Sequence, residues 1–306
     1  MGTPDFAVPS LKTLVDNGYE VVGVITATDK YGGRGKKRLI ESAVKQYALQ
    51  NGLKIFQPRN LKDPTFVEEV RTLGADLQVV VAFRMLPEVI WKMPPLGTIN
   101  LHGSLLPKYR GAAPINWAVI RGEKVTGVTT FMLKHEIDTG DILLQRAIDI
   151  DEDETAGEVY QRLMYTGAEV LLETVKAIES GNYELKVQET GAVTKAPKIY
   201  HETCEIDFNQ PTATVHDFIR GLSPFPTAWT QLDGKKLKIY RSRKEVTKHS
   251  FAPFRFFTDQ KSFLKVSTRD GFIHLLELQL AGKKKMHFKD FLNGYQFSTD
   301  KEIASL

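Results

Sequence analysis

The feature that most constrains the fold is a change of rhythm along the chain. In the first 180 residues, short apolar runs alternate with helical patterns. Residues 21–26 (V-V-G-V-I-T), 77–82 (L-Q-V-V-V-A), 98–101 (T-I-N-L) and the Val- and Thr-rich 125–133 read as strands. Between them, 11–15 reads as a helix closing at Gly18. Asp63 and Pro64 offer an N-cap and a first-turn proline ahead of the stripe Phe66, Val67, Val70 and Leu73. This alternation predicts an α/β fold, a mainly parallel Rossmann-like sheet with helices on both faces. The longest helix is expected over 155–180, opened by a Thr155/Glu158 capping box and followed by Gly181.

After residue 181 the pattern differs. Residues 182–203 lose periodicity and read as a linker. Beyond them, L-D-G-K at 232–235, alternation over 236–240 and 263–268, and Asp270-Gly271 ahead of 272–276 predict short strands joined by tight turns. Such spacing suits a small β-barrel. The expected domains are therefore 1–182, a linker at 183–203, and 204–306.

Composition narrows the class. A 306-residue chain with 42% hydrophobic and 25% charged residues can bury a core without covalent staples. Cys204 is the only cysteine, which excludes an intramolecular disulfide and multi-Cys zinc sites and fits a reducing, cytoplasmic compartment. No apolar run approaches the roughly 20 residues of a membrane span. Residues 201–306 carry 17 Lys+Arg against 12 Asp+Glu, while the first 200 residues are close to neutral. That asymmetry points the C-terminal part toward a polyanion.

Candidate chemistry concentrates between residues 98 and 141. Asn100 and His102 are two apart, so on a strand they share a face. An amide N–H stabilises a developing oxyanion and an imidazole moves a proton. A carboxylate such as Asp138 suits the task of orienting the imidazole. The set fits acyl transfer to an amine without a covalent enzyme intermediate. No G-x-S-x-G elbow is present, so Ser104 reads as a loop residue, not a nucleophile. His102, His135 and Asp138 lack a recognised metal-ligand spacing, and no metal is expected. The loop 29–38 holds five Lys/Arg among glycines, but fits neither a P-loop nor a dinucleotide fingerprint. Lys235-Lys236 and Lys283-Lys284-Lys285 are further basic clusters suited to a phosphate backbone.

The N-x-H element at 100–102, S-L-L-P at 104–107 and D-T-G-D at 138–141 resemble the folate-dependent formyltransferases in order and spacing. The opening M-G-T-P-D-F and the later R-G-L-S-P-F-P at 220–226 narrow the resemblance to the branch acting on methionyl initiator tRNA. The resemblance implies 10-formyltetrahydrofolate as co-substrate. It implies catalytic roles for Asn100, His102 and Asp138, with Asp138 holding His102. It places folate against Ser104, Leu105, Leu106 and Pro107 on one wall, and Phe83, Met85 and Leu86 on the other. Both walls follow strands, where ligands of such sheets sit. It sends the basic loop, with Arg34, Lys36, Lys37 and Arg38, to the tRNA acceptor stem. It also implies an OB-like C-terminal barrel that binds tRNA, a monomer, and no membrane.

Two departures stand out. Gly103 replaces the usual alanine after the histidine. Relatives also carry a strand ahead of M-G-T-P-D-F, inside the sheet, so an N-terminally truncated sequence is expected. Two other readings share many of these features: a formyltransferase acting on an amino sugar nucleotide, and a non-catalytic RNA-binding relative.

Overall fold

A computed structural model describes residues 1–32, 35 and 38–297. The chain divides into two compact units, one of residues 1–111, 127–148 and 160–195, the other of 112–126, 149–159 and 196 onward. Among the described residues no helix is long and apolar enough to cross a membrane.

The first unit is an α/β layer structure. Strands Gln78–Val81, Thr98–His102, Val125–Met132 and Ile142–Asp149 lie side by side in that order. The first two are parallel, and the third runs antiparallel to the second. Strand Val24–Ile25 pairs in parallel with Ile55–Phe56. Met1 and Gly2 bridge the two groups: Gly2 N–H donates to the Ile25 carbonyl at 3.1 Å, and Val81 N–H to the Met1 carbonyl at 2.9 Å. The expected strand at 21–26 forms only at Val24–Ile25; Val21 and Val22 lie outside it, and all four line a cavity of about 640 Å³.

Helices cover both faces. On one, Val80 and Ile25 pack against Phe66, Val67 and Val70 of helix Pro64–Thr72 and Ile90 of helix Glu88–Trp91. On the other, Ile99 and Leu143 pack against Leu171, Val175 and Ile178 of helix Ala156–Ser180. The starts of these helices are chemically specified. The Asp63 carboxylate accepts from the Thr65 and Phe66 amides, with Pro64 in the first turn. Glu158 accepts from the Thr155 N–H at 2.8 Å while the Thr155 hydroxyl accepts from the Glu158 N–H at 3.3 Å.

The second unit is β-rich. Its six-stranded antiparallel sheet runs Ala228–Leu232, Lys235–Val246, Gly271–Leu280, Leu264–Ser267, Phe256–Thr258, with Met286–His287 also paired to Gly271–Leu280. Asp233 and Gly234 both have positive φ, +50° and +68°, the conformation that a two-residue hairpin turn needs. Helix Thr212–Gly221 contributes Val215 and Ile219 to a core with Leu237, Ile239, Leu264 and Ile273. The Asp270 carboxylate, presented by the hairpin turn, accepts from the Thr212 backbone N–H at 2.7 Å and serves as the cap Pro211 cannot supply.

Candidate active site

Strand Thr98–His102 sets the site. Ile99 and Leu101 are buried on the side of helix Ala156–Ser180, Leu101 lying against Gly167. Alternation therefore places Asn100 and His102 together on the opposite face. Asn100 is half-buried and His102 is buried.

His102 is held by its own chain a few residues on. Its Nε2 lies 2.9 Å from the Tyr109 carbonyl, which only accepts, so Nε2 carries the hydrogen. Nδ1 faces the Asp138 carboxylate across 3.8 Å, close for charges but too long for a hydrogen bond. The same Asp138 oxygen accepts the Gly111 N–H at 2.8 Å. The ring is thus oriented by a backbone carbonyl, and the carboxylate by a backbone amide. Tyr109 and Asp138 have φ of +61° and +54°, conformations non-glycine residues seldom adopt and which occur where surroundings impose them.

The S-L-L-P turn is pinned from below by Thr129. Its hydroxyl donates to the Ser104 carbonyl at 2.6 Å and accepts the Leu106 N–H at 3.1 Å. Gln145 adds a bond to the Leu106 carbonyl at 2.8 Å. Ser104 is fully buried and its hydroxyl donates to the Lys108 carbonyl, so it shapes the turn and presents no free oxygen. Leu106 is buried with Phe131 and Ile142, while Leu105 and Pro107 are half-buried.

The other expected wall follows strand Gln78–Val81, which pairs with the Asn100 strand. Phe83 is half-buried, Met85 is exposed, and Leu86 is buried in the core beside Ile90. Arg84 between them donates to the Arg59 carbonyl at 2.9 Å. Asp141 pairs with Lys134 at 2.7 Å. Arg34, Lys36 and Lys37 lie outside the described residues. Arg38 is exposed at the start of strand Arg38–Ile40, which pairs with Lys30–Gly32.

Sequence reasoning assigns no role to several residues that build the candidate site: Tyr109, Arg110 and Gly111, which stand within its most informative stretch, and Thr129, Gln145 and Gln188. Tyr109 and Gly111 act through backbone groups, which leave no side-chain signal. Gln188 belongs to the aperiodic stretch after the long helix, and nothing in its neighbours in sequence marks it.

The sequence matches the family Formyl transferase over residues 1–175, and the family Formyl transferase, C-terminal domain over 198–296. A methionyl-tRNA formyltransferase of Parabacteroides distasonis is 55% identical over 306 residues, covering 97% of this chain and 94% of that protein. One from Bacteroides fragilis is 52% identical, with coverage of 97% and 94%. Among solved structures, the N-formyltransferase from Helicobacter canadensis in complex with folinic acid and dTDP-3-aminofucose shares the fold. Its TM-score is 0.66 at 20% identity, covering 93% of this chain and 97% of that one. The sugar 3N-formyl transferase WlaRD gives a TM-score of 0.67 at 21% identity, covering 92% and 97%. With its two matched regions accounting for most of its length, the chain belongs to the formyl transferase family.

Proposed function

We propose that this chain transfers the formyl group of 10-formyltetrahydrofolate to the α-amino group of methionine esterified to initiator tRNA, serving translation initiation. The observation that carries the reading is 55% identity, over nearly the whole chain, to a curated methionyl-tRNA formyltransferase. The site is compatible with this chemistry. The neutral amine attacks the formyl carbon, and the carbonyl electrons move onto its oxygen. The Asn100 amide N–H stabilises that oxyanion. The amine proton passes to His102, and from there to the folate nitrogen as the C–N bond breaks. With Nε2 committed to Tyr109, Nδ1 is the nitrogen left to take a proton, and it does so facing Asp138. Tetrahydrofolate leaves as the second product.

In this reading folate lies between the 104–107 turn and the segment holding Phe83, Met85 and Leu86. Residues 1–182 form the catalytic domain, 183–203 the linker and 204–306 the tRNA-binding domain. The chain works as a cytoplasmic monomer. Arg34, Lys36, Lys37 and Arg38 contact tRNA phosphates, supported by the basic C-terminal part.

Labelled formyl transfer tests the reading, with methionyl initiator tRNA, methionyl elongator tRNA and an amino sugar nucleotide run in parallel. Strong labelling of the initiator alone is expected. Labelling of the sugar nucleotide alone refutes the substrate class and keeps the chemistry, and no labelling of any acceptor refutes the reaction.

A further inference from the structure

Behind His102 and Asp138 lies a layer of polar groups that touches no reacting atom. Gln188 is its centre, buried at 6% exposure. A glutamine amide has two N–H donors and an oxygen with two lone pairs. Here Nε2 donates to the Asp138 carbonyl at 2.9 Å and the Gly140 carbonyl at 2.8 Å. Oε1 accepts from Arg110 Nε at 3.1 Å and Nη2 at 2.6 Å. All four positions are filled. Turning the amide over would set its N–H groups against a guanidinium and its oxygen against two carbonyls, so Arg110 dictates the orientation.

The consequence is geometric. Three consecutive residues reach both members of the pair. The Tyr109 carbonyl holds the His102 ring, the Gly111 N–H holds the Asp138 carboxylate, and the Arg110 side chain holds the Asp138 backbone through Gln188. The segment is itself fastened, by the Arg110 N–H to the Thr194 carbonyl at 2.9 Å and the Tyr109 N–H to the Thr194 hydroxyl at 2.8 Å. Asp138 sits at positive φ, a conformation that relaxes unless its carbonyl is tied. We infer that Gln188, oriented by Arg110, is a positioning residue for formyl transfer: it fixes the separation of Asp138 from His102. The inference rests on the reaction proposed above.

A kinetic double-mutant cycle on the full chain tests it. Single-turnover formyl transfer to methionyl initiator tRNA is measured for the wild type, Gln188→Met, Asp138→Ala and the combined variant. Thermal melting verifies that each is folded. Gln188→Met is expected to lower kcat about 100-fold, the scale of a misplacement near 1 Å, with KM for tRNA within about threefold. In the Asp138→Ala background the same change is expected to cost less than about threefold, because the group it positions is gone. Gln188→Glu keeps the Arg110 pair but turns an oxygen on two carbonyls, so it should lose rate as Gln188→Met does. If Gln188→Met does not fold, Gln188→Glu carries the cycle instead. Losses that multiply in the combined variant, or Gln188 variants with wild-type rates, overturn the assignment while the reaction stands. A wild-type chain without transfer overturns both.

Discussion

At the scale of single residues, His102 has the most demanding environment. It is buried, its Nε2 is committed to a backbone carbonyl and a carboxylate stands 3.8 Å from its other nitrogen. His102→Ala is expected to lower kcat by about 10²–10⁴-fold, the usual worth of a positioned acid–base group, and to change tRNA affinity less than about twofold. Single-turnover rates set beside filter-binding affinities check this, and equal rates would remove His102 from the mechanism. Gly140 answers a different need. A Cβ there would lie 1.6 Å from the Met132 carbonyl oxygen, so the D-T-G-D segment passes too close to the neighbouring strand for any side chain. Gly140→Ala must push that loop away and with it Asp138. A loss of at least about tenfold in transfer rate is expected, together with a lower melting temperature, and an unchanged rate would show that the loop tolerates displacement.

Elements carry their own tests. Helix Ala156–Ser180 begins with the reciprocal Thr155/Glu158 bonds, and Glu158 also pairs with Arg241. Thr155→Ala is expected to lower the free energy of unfolding by about 1 kcal/mol, read as a lower urea midpoint at unchanged slope. The hairpin of Lys30–Gly32 and Arg38–Ile40 is tied at its base, where Lys45 pairs with Asp29 and, at 2.8 Å, with Glu41. Gln57 adds a 2.8 Å bond to Asp29. Arg34 lies between these two strands in sequence. Arg34→Ala is expected to raise KM for tRNA by about tenfold, the scale of one charged phosphate contact, with folate affinity unchanged. Titrating both substrates decides it, and a defect confined to folate would contradict the assignment.

For the whole molecule, acid stability follows from two histidines of the second unit, His216 buried and His274 half-buried. His216 lies on helix Thr212–Gly221, with Nδ1 3.0 Å from the Ser242 hydroxyl and Nε2 3.0 Å from Asp153. Burial, the largest influence, pushes His216 below its ordinary value of 6.5, while Asp153 and Asp217 pull upward and Arg220 and Lys244 push down again. Burial decides the balance, since Asp153 is largely exposed and screened. His274 is likewise lowered by burial, against the Glu245 carboxylate beside it. A depressed folded value means that the unfolded chain binds protons first. This contribution is therefore complete above about pH 6.5 and lost as pH falls below it. Asp270, lowered by the Thr212 backbone N–H, adds a second loss below its ordinary 3.8. Melting temperature is expected to fall between pH 7 and 5, and His216→Gln to flatten that slope. An equal slope in the variant would place the acid sensitivity elsewhere.

What the sequence determined by itself is whatever short-range geometry dictates. A period of two put Asn100 and His102 on one face. Asp63-Pro64 and Thr155/Glu158 specified helix starts because a cap involves groups only two or three residues apart. Asp233-Gly234 specified a hairpin because few residues accept positive φ twice in succession. The apolar alternation specified helices on both faces of a sheet, since each strand must bury both sides. Tertiary structure alone decided the rest. The His102 ring is steered by a carbonyl, and Asp138 by an amide 27 residues away. Gln188 is 50 residues from Asp138 and 78 from Arg110, in a stretch without periodicity. Gly140 reads in sequence as a turn glycine, yet its requirement comes from a neighbouring strand. Backbone groups are the same at every position of the chain, so which of them meets a given side chain is settled only when distant segments pack.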